Sequence, residues 1–218
     1  MRRFRLTAPD RGRNMSKRLE SAAEESRKAL PDAGEQKKQL RKEMSALREA
    51  LPAAWFRDAG ERMQRQLFSL PDWPVAERVF VYVSMEREPD TRMILGRALA
   101  EGKALYVPKC LGGGRMLAAR IRSLEELSPG VLGIPEPESW TETCEAADLD
   151  LMIVPCVCAS RDGRRLGHGG GYYDRFLAGY EEKAVCLCFR RMLREDLPAE
   201  ETDVRVPRVL TEEGLCQG

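Results

Sequence analysis

Residues 164–174 read Arg164-Arg165-Leu166-Gly167-His168-Gly169-Gly170-Gly171-Tyr172-Tyr173-Asp174. Four of the five positions from 167 to 171 are glycine. Such a backbone can adopt positive φ and turn its N–H groups onto a ligand. A helix predicted to open at Tyr172 adds unsatisfied N–H donors and the positive end of its dipole. Arg164 and Arg165 bring full charge beside that concavity, which suits a polyphosphate. Asp174, one turn into the helix, is placed to meet a metal held by the phosphates. Glycines alone would also fit a ligand-free flexible loop, and the string matches neither a Walker A motif nor a dinucleotide fingerprint. Lys37 and Arg41 lie four apart and so share one helix face, as a two-pronged phosphate clamp or as a solvated basic face.

The elements that must position these groups can be read from hydrophobic period and breakers. Leu40, Met44 and Leu47 at helical spacing predict a helix over 35–50, ended by Pro52, and a second over 53–70. Residues 71–74, with two prolines, are expected to be a loop. The run over 78–83 is β-branched and aromatic and predicts a buried strand. Asp90 and Thr91 are candidate caps for a helix reaching Glu101, with Gly102 as its stop. Further strands are expected over 104–107 (stopped by Pro108), 116–121, 149–154, 184–188 and 206–210, and a helix over 172–180. Strands alternating with helices at these separations imply one α/β domain with a mostly parallel sheet flanked by helices, and a helical N-terminal segment.

Bulk properties narrow the function classes. The 36 basic and 35 acidic side chains nearly cancel, so a general nucleic-acid binder is not expected. No apolar run approaches the roughly 18 residues of a membrane span. Residues 1–33 are polar and charged and are expected to form a flexible extension, with 34–213 the folded domain and 214–218 a tail. The arginine-rich start lacks the apolar stretch of a secretory signal. It admits a transit peptide or a translation start at Met15. Seven cysteines without a secretion signal argue for a reducing compartment, with the cytoplasm as the expected location. Cys156, Cys158, Cys186 and Cys188 alternate along two predicted strands, where four sulfurs could converge on a metal. Packing as small buried hydrophobes is the favoured reading.

The string Arg-Leu-Gly-x-Gly-x-Gly-Tyr-Tyr-Asp resembles the signature of the 5-formyltetrahydrofolate cyclo-ligase family, also called 5,10-methenyltetrahydrofolate synthetases. Lys37-x-x-Leu40-Arg41 resembles its nucleotide-contacting motif, and 82–91, Tyr-Val-Ser-Met-Glu-Arg-Glu-Pro-Asp-Thr, resembles its substrate segment. Tyr106-Val-Pro-Lys109, Gly133-Ile-Pro-Glu-Pro137, Leu151-Met-Ile-Val-Pro155 and a stretch from Leu197-Pro to Asp203 follow in order. The similarity covers about residues 36–213.

This resemblance implies ATP-dependent conversion of 5-formyltetrahydrofolate to 5,10-methenyltetrahydrofolate, through a phosphorylated formyl intermediate, with magnesium. Carried over residue by residue, ATP would meet Lys37, Arg41, Arg165, Gly167, Gly169, Gly170, Gly171, Tyr172 and Tyr173. The folate would meet Val83, Glu88, His168, Gly169, Gly170, Gly171 and Tyr172. Glu88, Tyr172 and Arg165 would serve catalysis, and Asp174 and Asp203 would hold the metal. The implied partners are the reduced folate and ATP only, and a monomer is expected. Ala159-Ser160 stands where the family commonly has Phe-Asp, and His168 where arginine or tyrosine is usual. Gly170 stands where some members have lysine, and Pro207 where aspartate is frequent. A nucleotide- or folate-binding paralogue without turnover, or an enzyme of the same fold acting on another heterocycle, stays open.

Overall fold

The computed structural model describes residues 32–130 and 133–216; the expected extension at 1–33 falls almost entirely outside them. Helix α1 (Ala33–Glu49) starts at Asp32, whose side chain accepts a hydrogen bond from the Glu35 N–H at 2.8 Å. It is followed by α2 (Ala53–Phe68), the one-turn α3 (Asp72–Val75), strand β1 (Arg78–Val81) and helix α4 (Arg92–Ala100). A long antiparallel ribbon, β2 (Ala104–Gly112) and β3 (Arg115–Ile121), comes next. After it come β4 (Leu127–Pro129), β5 (Pro135–Pro137), β6 (Thr143–Cys144), β7 (Leu151–Pro155) and the hairpin β8 (Cys158–Ala159) with β9 (Arg165–Leu166). The chain closes with α5 (Tyr172–Leu177), β10 (Ala184–Leu187), β11 (Arg208–Thr211) and β12 (Gly214–Leu215).

Eight strands form the main sheet in the order β12-β11-β10-β7-β1-β2-β3-β6. The central strands β11, β10, β7, β1 and β2 run parallel, and β3 and the two edge strands β12 and β6 pair antiparallel. Every residue of β7 and β10 is buried, as expected for strands covered on both faces. The chain moves outward from β1 to β2 and later returns to place β7 on the other flank of β1. That reversal opens a crevice beyond the carboxyl ends of β1 and β7, the usual ligand position in an open α/β sheet. Residues 82–91 leave one of these ends, and the segment leading to the glycine loop leaves the other.

Several expected boundaries move. Pro108 does not stop β2, which continues to Gly112. Beyond Tyr106 the strand has left β1 and pairs only with β3, so a missing N–H is tolerated on the open side of a ribbon. Residues 71–74 are not wholly loop, since Pro74 fits the first turn of α3, where its absent N–H has no intrahelical role. The strand from Arg78 ends at Val81, and α5 ends at Leu177 rather than 180 because Gly179 takes φ 84°. Gly214 and Leu215, expected in a tail, pair with β11.

Thr91 does not cap α4 with its side chain. Its hydroxyl donates to the Tyr82 carbonyl at 2.8 Å and accepts from the Ser84 N–H at 3.0 Å. It thereby staples residues 82–91 to the end of β1. The Lys109 ammonium meets the Glu136 carboxylate at 3.2 Å, joining two of the motifs read in the sequence.

Candidate functional site

Helix α1 presents a cationic stripe to the crevice: Lys37, Arg41 and Arg48 lie on the face of the buried Met44, at helical spacing. The Arg41 Nε donates to the Gly167 carbonyl at 2.8 Å, and its guanidinium lies about van der Waals distance from where a Cβ at Gly169 would sit. The Lys37 ammonium donates to Glu200 Oε2 and Asp203 Oδ2, each at 2.6 Å. Burial alone would lower the Lys37 pKa, but the hydrogen bonds and charges of Asp203 and Glu200 outweigh it and raise it. Arg48 Nη2 donates to the carbonyls of Cys156 and Val157, at 2.9 and 3.0 Å. The helix is thus strapped along the chain that leads into the glycine loop.

Hairpin β8–β9 delivers Arg165. Its side chain is 2% exposed and donates from Nη2 to Asp174 Oδ1 at 2.8 Å. Its Nε is buried and has no acceptor. The guanidinium carbon lies 5.5 Å from the centre of the Tyr173 ring. A cleft of ≈ 240 Å³ opens between Arg164, Arg165 and the segment carrying Leu197, Glu200, Asp203 and Arg205.

The glycines are used for shape. Gly169 and Gly171 take φ of 101° and 64°. A Cβ on Gly170 would stand 2.6 Å from the Tyr172 ring. The lysine of some relatives therefore fits here only if Tyr172 moves. Arg175 Nη1 donates to the Gly170 and Gly114 carbonyls, both at 3.1 Å, tying the glycine loop to the turn between β2 and β3. With only six residues in α5, the anion cradle rests on arginines and loop N–H groups more than on a long helix dipole.

Asp174 Oδ1 also accepts from the Val204 N–H at 3.3 Å, which brings Asp174 beside Asp203. One oxygen of each carboxylate, Asp174 Oδ2 and Asp203 Oδ1, takes no hydrogen bond among the described residues. Among those residues no three His, Cys, Asp or Glu side chains gather as a self-sufficient metal site. The donor set fits a hard cation that draws its remaining ligands from phosphates and water, as magnesium does.

Opposite the loop, Glu88 is almost fully buried, and its Oε2 accepts from the Met85 N–H at 2.9 Å. Its Oε1 stands 3.9 Å from His168 Nε2. Burial first, and the Glu88 charge second, push the Tyr173 phenol well above its ordinary pKa. Val83 is buried in the core at the exit of β1. The structure thus brings Lys37 to Asp203, Arg41 to Gly167, Arg165 to Asp174 and Glu88 to His168, whereas Val83 lies in the core.

Sequence reasoning missed Arg48, Arg87, Arg175 and Glu200. Arg48 alone had a signal, its helical spacing from Lys37, Arg41 and Met44. Ala159 and Ser160 are both buried. Ser160 Oγ donates to Asp162 and accepts from the Arg164 N–H at 3.0 Å, which closes the β8–β9 turn.

Residues 33–212 match the model of the 5-formyltetrahydrofolate cyclo-ligase family. The probable 5-formyltetrahydrofolate cyclo-ligase of Schizosaccharomyces pombe is 30% identical over 170 residues, covering 70% of this chain and 83% of that one. For the 5-formyltetrahydrofolate cyclo-ligase of Escherichia coli K12 the identity is 31%, with 75% and 93% covered. The solved 5,10-methenyltetrahydrofolate synthetase of Aquifex aeolicus superposes with a TM-score of 0.74 at 31% identity, covering 83% of this chain and 92% of the other. Sequence and fold agree across nearly all the described residues: the chain belongs to the 5-formyltetrahydrofolate cyclo-ligase family.

Proposed function

We propose that the protein is a ligase that uses ATP to convert 5-formyltetrahydrofolate to 5,10-methenyltetrahydrofolate, ADP and phosphate. The observation that carries this reading is the approach of Glu88 to His168 at 3.9 Å, which sets the substrate segment against the glycine loop in one crevice. In the reaction the formyl oxygen attacks the γ-phosphorus and the bond to ADP breaks, giving an imidate phosphate at N5. N10 adds to that carbon and loses its proton to solvent. Phosphate leaves with the C–O bonding electrons, and the methenyl bridge remains as a cation.

Such chemistry asks for positioning and charge stabilisation more than for covalent help from the protein. Arg165, with Lys37, Arg41 and the N–H groups of 167–173, is assigned to the triphosphate. Glu88, the loop 168–171, Tyr172 and Val83 are assigned to the folate, with Tyr172 close to the formyl group. Magnesium would be held by the free oxygens of Asp174 and Asp203, where it would neutralise charge developing on the phosphates.

No helix among the described residues is long and apolar enough to cross a membrane. Seven free thiols favour a reducing compartment, and the cytoplasm and a monomeric state complete the reading. Mixing the protein with 5-formyltetrahydrofolate, ATP and magnesium should produce the near-ultraviolet absorbance of the methenyl product. Nucleotide or folate binding without that product would instead assign a non-catalytic role, and product only from another heterocycle would change the substrate.

A further inference from the structure

Arg87 is the sole non-glycine with positive φ among the described residues, at 63°. It occupies the third position of a turn closed by the Glu88 N–H donating to the Met85 carbonyl at 3.3 Å. A negative φ followed by a positive one is the pattern of a type II turn, whose third position favours glycine. The same turn shapes Glu88, because its Oε2 accepts from the Met85 N–H. An arginine placed where glycine is preferred must be explained by its side chain. That side chain reaches back to α1, where Nη1 donates to the Arg48 carbonyl at 2.7 Å, and it crosses the Phe56 ring at 6.0 Å. Arg48 in turn holds the carbonyls of Cys156 and Val157, on the path to the nucleotide loop.

We infer that Arg87 is a positioning residue of the folate subsite: it fixes the Glu88 turn against the helix that carries Lys37 and Arg41. The inference rests on the assignment of Glu88 to the folate. Arg87 has no hydrogen bond or ion pair to the glycine loop among the described residues, and its influence on ligands is assigned to the turn. R87G keeps the backbone conformation and removes the tether, whereas R87A removes the tether and keeps the unfavourable φ. R87K retains the charge and can still donate to the Arg48 carbonyl.

The test is steady-state kinetics of the full chain with each substrate varied, alongside thermal melting. R87G should raise KM for 5-formyltetrahydrofolate about tenfold, the scale of a lost charged hydrogen bond, with KM for ATP changed less than about twofold. R87K should recover most of the loss, and R87A should match or exceed the R87G effect. Three results overturn the proposal: a folate KM unchanged in R87G, equal rises in both KM values, or R87K no better than R87G. Should R87G fail to fold, R87A must raise the folate KM selectively and R87K must recover it, and an unchanged value in R87A is equally fatal. E88Q serves as the control. If E88Q leaves the folate KM unchanged, the assignment of Glu88 fails; if only E88Q raises it, the role of Arg87 fails.

Discussion

At the scale of single residues, the site is a set of charges that have already found partners. Arg165 holds Asp174, and Lys37 holds Glu200 and Asp203. Arg165→Ala should raise KM for ATP by about ten- to a hundredfold through loss of forked phosphate contacts, and Arg165→Lys should recover only part. The Ala variant should lose about 1–3 kcal/mol of stability and stay folded, because Asp174 is open enough to be solvated. Urea unfolding beside initial rates checks both statements, and unchanged ATP kinetics would remove Arg165 from the site. The cysteines behave differently. Cys156, Cys158, Cys186 and Cys188 are enclosed in the core, whereas Cys110, Cys144 and Cys216 are partly exposed. A thiol reagent at neutral pH should therefore modify native protein only at Cys110, Cys144 and Cys216, and the other four after denaturation. Peptide mapping of labelled protein decides this, and zinc bound in stoichiometric amount would contradict it.

Among the elements, the β8–β9 hairpin is the part most exposed to single substitutions. Gly163 takes φ 94°, and a Cβ there would lie 2.6 Å from the Val206 carbonyl oxygen. Gly163→Ala should cost about 2–4 kcal/mol, from strained φ and a backbone clash, and should show as a lower denaturation midpoint. Ser160 closes the same turn. Its hydrogen bond, with Arg205 and Arg164 nearby, holds the Asp162 carboxyl below its usual pKa. A carboxyl depressed in the folded state stabilises above its unfolded pKa of about 3.9, and that stability is lost as pH falls through the folded value. Ser160→Ala should therefore cost about 1 kcal/mol at neutral pH, with the gap to wild type narrowing below about pH 4. Equal gaps at both pH values in urea titrations would exclude the Asp162 linkage. These short strands were illegible in the sequence because two or three residues carry no period. β1, β7 and β10 were legible because burial on both faces writes an uninterrupted apolar run. Pro108 misled for a related reason: its effect depends on whether a neighbouring strand needs its N–H, which only the sheet order decides.

For the whole molecule, the strand order explains why distant motifs make one site. Neighbouring strands β1 and β7 release their following segments into the same crevice, so residues 82–91 and 164–174 meet although far apart in sequence. The sequence signature marked both segments as ligand candidates, since glycine strings and carboxylates at fixed offsets survive in a linear reading. It could not locate Arg87 or Arg175, whose acceptors are backbone carbonyls supplied by other elements, and a carbonyl leaves no trace in residue type. Arg175 carries one more consequence. A single guanidinium nitrogen shares itself between the carbonyls of Gly114 and Gly170, so the tip of one ribbon and the lip of another loop are effectively soldered together. Neither can swing aside without dragging its neighbour.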